Sequence, residues 1–156
     1  AGKGQILVFT RTKHRAKKVA AQLGRAGFSA TSLQGNLSQN RRQEAMDHFR
    51  TGRVQIMVAT DIAARGIDVS QVTHVINYDM PNTAEAYTHR IGRTGRMENL
   101  GKAFTLVTPE DRSMVRTIER MVGYALEQQR GSRPAAEAAR EPRRTNRPAR
   151  PVRQMG

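Results

Sequence analysis

Gln5-Ile6-Leu7-Val8-Phe9 is a short, continuous apolar run that gives way at once to Thr10-Arg11-Thr12-Lys13. A run of this length without polar alternation suits a strand buried on both faces of a parallel sheet. From His14 to about Leu23, Ala16, Val19, Ala20 and Leu23 recur at helical spacing, and Gly24 and Gly27 stand where a helix frays and stops. The opening unit is therefore strand, loop, helix. Residues 28–33 read as a second, weaker strand, followed by the loop Gln34-Gly35-Asn36-Leu37. Ser38 can cap a helix from Gln39 to Arg50 whose apolar side is Ala45, Met46 and Phe49, closed by Thr51-Gly52.

Residues 54–59 form a third strand, 72–78 a fourth and 101–107 a fifth. Between the third and fourth, residues 60–68 read as a loop with one helical turn. Asn82-Thr83-Ala84-Glu85 has the spacing of a capping box and predicts a short helix that runs into an arginine-rich stretch. Thr108-Pro109-Glu110-Asp111 is a second helix start, with a cap, a proline in the first turn and two acids near the positive end of the dipole. That helix is expected to continue to about Glu127, with Gly123 a weak point. Strand and helix alternate five times, so the fold class is α/β: a parallel sheet of about five or six strands with helices on both faces. In such sheets the ligand lies beyond the carboxyl ends of the strands. The loops at 10–13, 34–38 and 60–68 and the segment after Tyr78 all leave such ends and are expected to share one polar edge.

The chain has 156 residues, enough for one domain with a real core. Its 27 Lys and Arg against 13 Asp and Glu give a formal charge of +14, a balance that points to a nucleic-acid partner before a membrane surface. Cysteine is absent, which excludes disulfides and thiolate metal sites and suits a reducing cytoplasm. No apolar run approaches the roughly 20 residues of a membrane span, and Ala1-Gly2-Lys3-Gly4 lacks the core of a signal peptide. The expectation is a soluble cytoplasmic protein. Because the chain begins close to its first strand without an initiator methionine, it is also expected to be a fragment.

His89-Arg90-Ile91-Gly92-Arg93-Thr94-Gly95-Arg96 carries the chemistry. Arginines at intervals of three with glycines between them present planar, permanently charged forks from a backbone of little bulk, a site for a polyanion. Arginine fingers assist phosphoryl transfer by stabilising charge on the phosphate. No phosphate-cradling Gly-x-x-x-x-Gly-Lys-Ser/Thr loop and no magnesium-holding acidic motif accompanies them, so the nucleotide must be gripped by another domain.

Together these residues resemble a family. Ala59 to Asp68, with His89 to Arg96 about twenty residues later, are similar to motifs V and VI of DEAD-box RNA helicases; Ile6 to Lys13 resembles motif IV, and Gln39-x-x-Arg42 the motif after it. The resemblance covers about residues 3 to 122 and implies the second, C-terminal RecA-like domain of an ATP-dependent RNA helicase. It implies that Arg93 and Arg96 reach the terminal phosphate of ATP, held with Mg2+ mainly by the N-terminal RecA-like domain of the same polypeptide. It implies further that Gly66 and Asp68 complete the nucleotide contacts, Asp68 by accepting from the ribose hydroxyl. The resemblance also implies that Thr12, Gln39, Arg42 and Thr60 hold the backbone of single-stranded or duplex RNA and that His89 joins the two domains. Arg65 and Arg90 are expected to be structural, pairing with acids such as Asp61 or Asp79. Relatives with His-Gly before the Gln-x-x-Arg motif differ from this chain, which has Gln34-Gly35. The Arg/Pro-rich tail is most similar to the bacterial RhlE-type branch.

Two rival readings share these features. A non-enzymatic RNA-binding or chaperone module would use the basic surface without ATP linkage, and a DNA helicase of the wider superfamily would keep the sheet and the arginines. The domain organisation is 1–127 for the helicase C-terminal domain and 128–156 for the tail. From Gln128 onward there are eight arginines, two glutamates and four prolines without apolar periodicity, a composition that predicts a disordered basic tail. With about six of its charges on single-stranded phosphates, the log of RNA affinity should fall against log salt with a slope of roughly −4. Truncation after Gln128 should flatten that slope; an unchanged slope excludes the tail from binding.

Overall fold

The computed structural model describes residues 4–67, 70–94 and 101–129. The chain divides into two compact units, Ala1–Ala125 and Leu126–Gly156. Residues 130–156, which make up nearly all of the basic tail, lie outside the described residues.

The first unit is a five-stranded sheet of β1 (Gln5–Phe9), β2 (Ala30–Leu33), β3 (Ile56–Ala59), β4 (Val72–Asn77) and β5 (Lys102–Thr105), in the order β2-β3-β1-β4-β5. Every pairing is parallel, with Val8 opposite Val58 on one side and Ile76 on the other. The apolar run that suggested a doubly covered strand is the central strand, and alternate residues face opposite helices. Val8 joins Ile56 and Val58 under Ala16, Val19 and Ala20 of α1 (Lys13–Arg25). Leu7 and Phe9 join Leu33 and Met57 under Ala45 and Phe49 of α2 (Gln39–Arg50). Ala63, Ala64 and Ile67, from the connection between β3 and β4, belong to the same core as α2. The α/β architecture is that of a RecA-like parallel sheet with helices on both faces.

Hydroxyls cap three of the helices: Thr12 accepts from the Arg15 N–H, Ser38 from Arg41 and Thr83 from Ala86. Thr83 therefore displaces Asn82 as the cap of α3 (Ala84–Ile91), one residue later than the Asn82–Glu85 spacing predicts. After β5, Pro109–Asp111 form a 3-10 turn in which the Asp111 carboxylate accepts from the Thr108 N–H and hydroxyl at 2.9 and 2.8 Å. It leads into α4 (Arg112–Val122). Gly123, at φ 82°, ends α4 in a left-handed cap, so the helix stops short of the expected Glu127. The second, third and fifth strands are also shorter than their apolar content suggests. Residues 28, 29, 54, 55, 106 and 107 lie beyond the paired registers.

Phe49 is 1% exposed and closes the α2 side of the sheet. Phe49→Ala should cost about 3 to 5 kcal/mol by loss of burial and cavity formation. Urea unfolding should show this as a lower midpoint at unchanged slope, and an unchanged midpoint contradicts this packing.

Candidate functional site

Every strand points the same way, so the connections leaving β1, β2, β3 and β4 start at one edge. There Thr12 caps α1 and is exposed, Lys13 Nζ donates to Asn36 Oδ1 at 3.1 Å, and Gln39 is exposed at the start of α2. Gln34 is buried, and its Oε1 accepts from the Asn36 N–H at 2.8 Å. The glutamine thus closes its own loop, which accounts locally for the departure noted in the sequence.

Thr60 leaves β3 at the same edge and starts a helical turn, its carbonyl accepting from the Ala64 N–H at 3.0 Å and its hydroxyl from Ala63 at 3.4 Å. The 60–67 segment is held by one arginine from each flanking helix. Arg42 of α2 donates through Nη2 to the Ala63 carbonyl at 2.9 Å. Arg90 of α3 donates through Nε and Nη2 to the two carboxylate oxygens of Asp61, both at 2.7 Å. Arg90 also donates through Nη1 to the Asp79 carbonyl at 2.8 Å and to Asn77 Oδ1 at 3.4 Å, and its guanidinium lies over the Phe9 ring, 5.1 Å from the centroid. Its side chain is 3% exposed.

Asp79 is a second junction. Its carboxylate accepts from the Arg11 N–H at 2.8 Å and pairs with the Arg15 guanidinium, which ties the loop after β1 to the end of β4. Neither Arg15 nor Asn77 stands out in the sequence. The one signal was Asp79 itself, an acid directly following an apolar strand.

α3 begins at the carboxyl edge and returns along the sheet. Beyond it, the Arg93 N–H donates to the Arg90 carbonyl at 3.1 Å, and Thr94 Oγ1 donates to the carbonyl of Val72, the first residue of β4, at 2.9 Å. The loops after β1, β2 and β3 therefore start at one edge as expected, with Thr12, Gln39 and Thr60 there, whereas the segment after Tyr78 leaves that edge through α3 and carries Arg93 away from it. An eight-residue helix running back beside β4 carries the arginine turn to the opposite edge. Gly66 and Ile67 descend in the same direction, and Ile67 shares a core with Val72. Gly66 has φ 78° and nothing within 4 Å of where a Cβ would stand, so its backbone is open to close approach. A half-buried arginine and a bare backbone turn fit a polyphosphate. Asp68 and Arg96 lie outside the described residues. His89 is exposed in the last turn of α3, whereas Tyr87 is buried, and burial pushes its phenol above the ordinary value of 10.0. Arg65 is exposed. No group of three or more His, Asp or Glu able to hold a metal occurs among the described residues, and no helix there is long and apolar enough to cross a membrane.

Residues 1–98 match the helicase conserved C-terminal domain. The SrmB DEAD-box protein of E. coli, solved in complex with a regulator of ribonuclease activity, superposes with a TM-score of 0.75 at 39% identity, over 79% of this chain and 72% of that one. The chain belongs to the DEAD-box helicase family as a conserved C-terminal domain. It is 48% identical over 113 residues to the DEAD-box ATP-dependent RNA helicase CshA of Bacillus subtilis, covering 72% of this chain and 23% of that protein. It is 47% identical over 121 residues to the RNA helicase CrhR of Synechocystis, covering 78% and 25%. The DEAD-box domain thus spans about a quarter of the length of these relatives.

The two ion pairs of α2 and α3 differ in environment, which sets their worth. Asp61→Ala removes two charge-assisted hydrogen bonds from a buried guanidinium, although the Asp61 carboxylate is itself half-exposed, and should cost about 2 kcal/mol. Asp47→Ala, which removes the exposed Asp47–Arg50 pair, should change stability by at most about 1 kcal/mol. Equal losses in parallel denaturation curves contradict the role given to Arg90.

Proposed function

We propose that this domain is the arginine-bearing half of an ATP-dependent RNA helicase. The observation that supports this best is the pinned turn at Arg93. Its backbone is fixed to Arg90 and, through Thr94, to the start of β4, so the guanidinium is delivered from a rigid base. Arg93, with Arg96 beyond it, faces the phosphates of a nucleotide gripped by an N-terminal RecA-like domain of the same polypeptide. Gly66 lets the backbone approach, and Asp68 accepts from the ribose. Bound ATP with Mg2+ would supply the phosphoanhydride bond whose cleavage resets the clamp.

Thr12, Gln39, Arg42 and Thr60 face the RNA backbone at the carboxyl edge. The Thr60 hydroxyl accepts from Ala63 and so keeps its proton to donate to a phosphate oxygen. Arg42 uses one Nη2 donor on Ala63, which orients the fork while its remaining donors serve RNA. Phosphate contacts position a strand without reading its sequence. Closure on both ligands would seat the arginines and distort the strand, with His89 at the domain junction, and hydrolysis would reopen the clamp. On this reading the protein works on RNA in the cytoplasm, the tail tethers it to RNA, and the chain falls in the RhlE-type branch.

Arg93→Ala in the intact two-domain protein should lower RNA-stimulated ATP turnover about 10³-fold without lowering the unfolding midpoint. Turnover near wild type rejects the finger assignment. Stimulation by DNA as strong as by RNA would favour the DNA-helicase alternative.

A further inference from the structure

The outer face of α1 carries charge that the reading above does not use. Lys13, His14, Arg15, Lys17, Lys18 and Arg25 lie on a helix of thirteen residues that contains no acid. All six are exposed, while Ala16, Val19 and Ala20 form the buried side. At 100° per residue, His14, Lys18 and Arg25 form a ridge opposite the core, and Lys13 and Lys17 form a flank beside it. Arg15, on the other flank, is neutralised by Asp79.

This arrangement works against the helix. Cations in the first turn oppose the positive end of the dipole, and the like charges of Lys13 and Lys17 repel at i, i+4. Stability therefore gives no reason for the row, and an anionic partner does. The row begins beside Thr12, and Lys13 is fixed toward the loop after β2 by its bond to Asn36, so it is continuous with the carboxyl edge.

We infer that the Lys13–Lys17 flank and the His14–Lys18 ridge of α1 form a second RNA contact, a track for backbone phosphates of the single strand leaving the carboxyl edge. This rests on the proposed strand path at Thr12, Gln39, Arg42 and Thr60 and extends it onto the opposite face of the sheet from α2 and α3. The contact reads charge alone and serves only strands long enough to pass the edge.

The test compares Lys17→Gln/Lys18→Gln with Arg116→Gln/Arg120→Gln, an equal charge change on exposed positions of α4. Binding of oligouridylates of 6 and 15 nucleotides to the 156-residue chain is measured from 50 to 200 mM salt. Two lost single-strand contacts should reduce the 15-mer salt slope by about 1.4, so that wild-type affinity falls about sevenfold more over this range than that of the α1 variant. The 6-mer slope should not change, and the α4 variant should match wild type with both strands. An unchanged 15-mer slope, or an equal change in the α4 variant, overturns the track. Thr60→Ala separates this from the underlying reading: if it leaves 6-mer affinity untouched, the strand path fails, whatever the α1 comparison gives.

Discussion

The arrangement of the domain depends on one buried cation. Arg90 has almost no contact with water, and removing a guanidinium from water costs several kcal/mol unless its donors are satisfied. Here they are met by both carboxylate oxygens of Asp61, the Asp79 carbonyl and Asn77, with the Phe9 ring beneath. These partners come from the connection after β3, from both sides of the end of β4 and from β1. The hydrogen bonds of one side chain thus fix α3 against the sheet and the 60–67 segment against α3. Arg42 holds the other side of that segment from α2. The segment buries little apolar surface beyond Ala63, Ala64 and Ile67, Ile62 being exposed, so polar fastening from both neighbours replaces a larger core.

Fixing α3 this way separates two kinds of ligand chemistry along a single element. At its start lie the strand ends and the hydroxyl-capped loops, suited to a nucleic-acid backbone. At its end lies the arginine turn, anchored to the first residue of β4 and suited to a nucleotide phosphate. The 60–67 segment runs the same way, from Thr60 at one edge toward Gly66 and Ile67. A displacement of Asp61 would therefore be felt at both ends. That is the physical form of coupling that the proposed RNA and ATP contacts would require.

Much of this was legible because local signals agreed with the global plan. The central strand is continuously apolar, the helices carry apolar residues three and four apart, and each hydroxyl cap stands one residue before its helix. Where prediction slipped, a competing local effect prevailed. Thr83 displaced Asn82 as cap, and the left-handed Gly123 stopped α4. The second, third and fifth strands are shorter in paired register than their apolar runs, although Gln55 and Leu106 beyond them still donate to the Ser29 and Asn77 carbonyls. The pairing of Arg90 with Asp61 was visible as one option among two acids; the structure adds Asp79 as a separate junction for Arg11 and Arg15. The reversal of edges was not legible. Which end of a helix reaches which side of a sheet depends on packing direction, and spacing within the arginine stretch does not encode it. The nucleotide assignments of Asp68 and Arg96 rest on motif resemblance alone.

The central claim is that this domain contributes positive charge to a nucleotide pocket whose floor is elsewhere, and receives RNA at the opposite edge. The most direct measurement is a crystal structure of the intact protein with single-stranded RNA and ADP-beryllium fluoride. The account predicts Arg93 within about 3 Å of the phosphate mimic, the nucleotide seated on the other domain, and RNA phosphates beside Thr12 and Thr60. A nucleotide bound at the carboxyl edge of this sheet, or an Arg93 that remains in solvent with both ligands present, would contradict it.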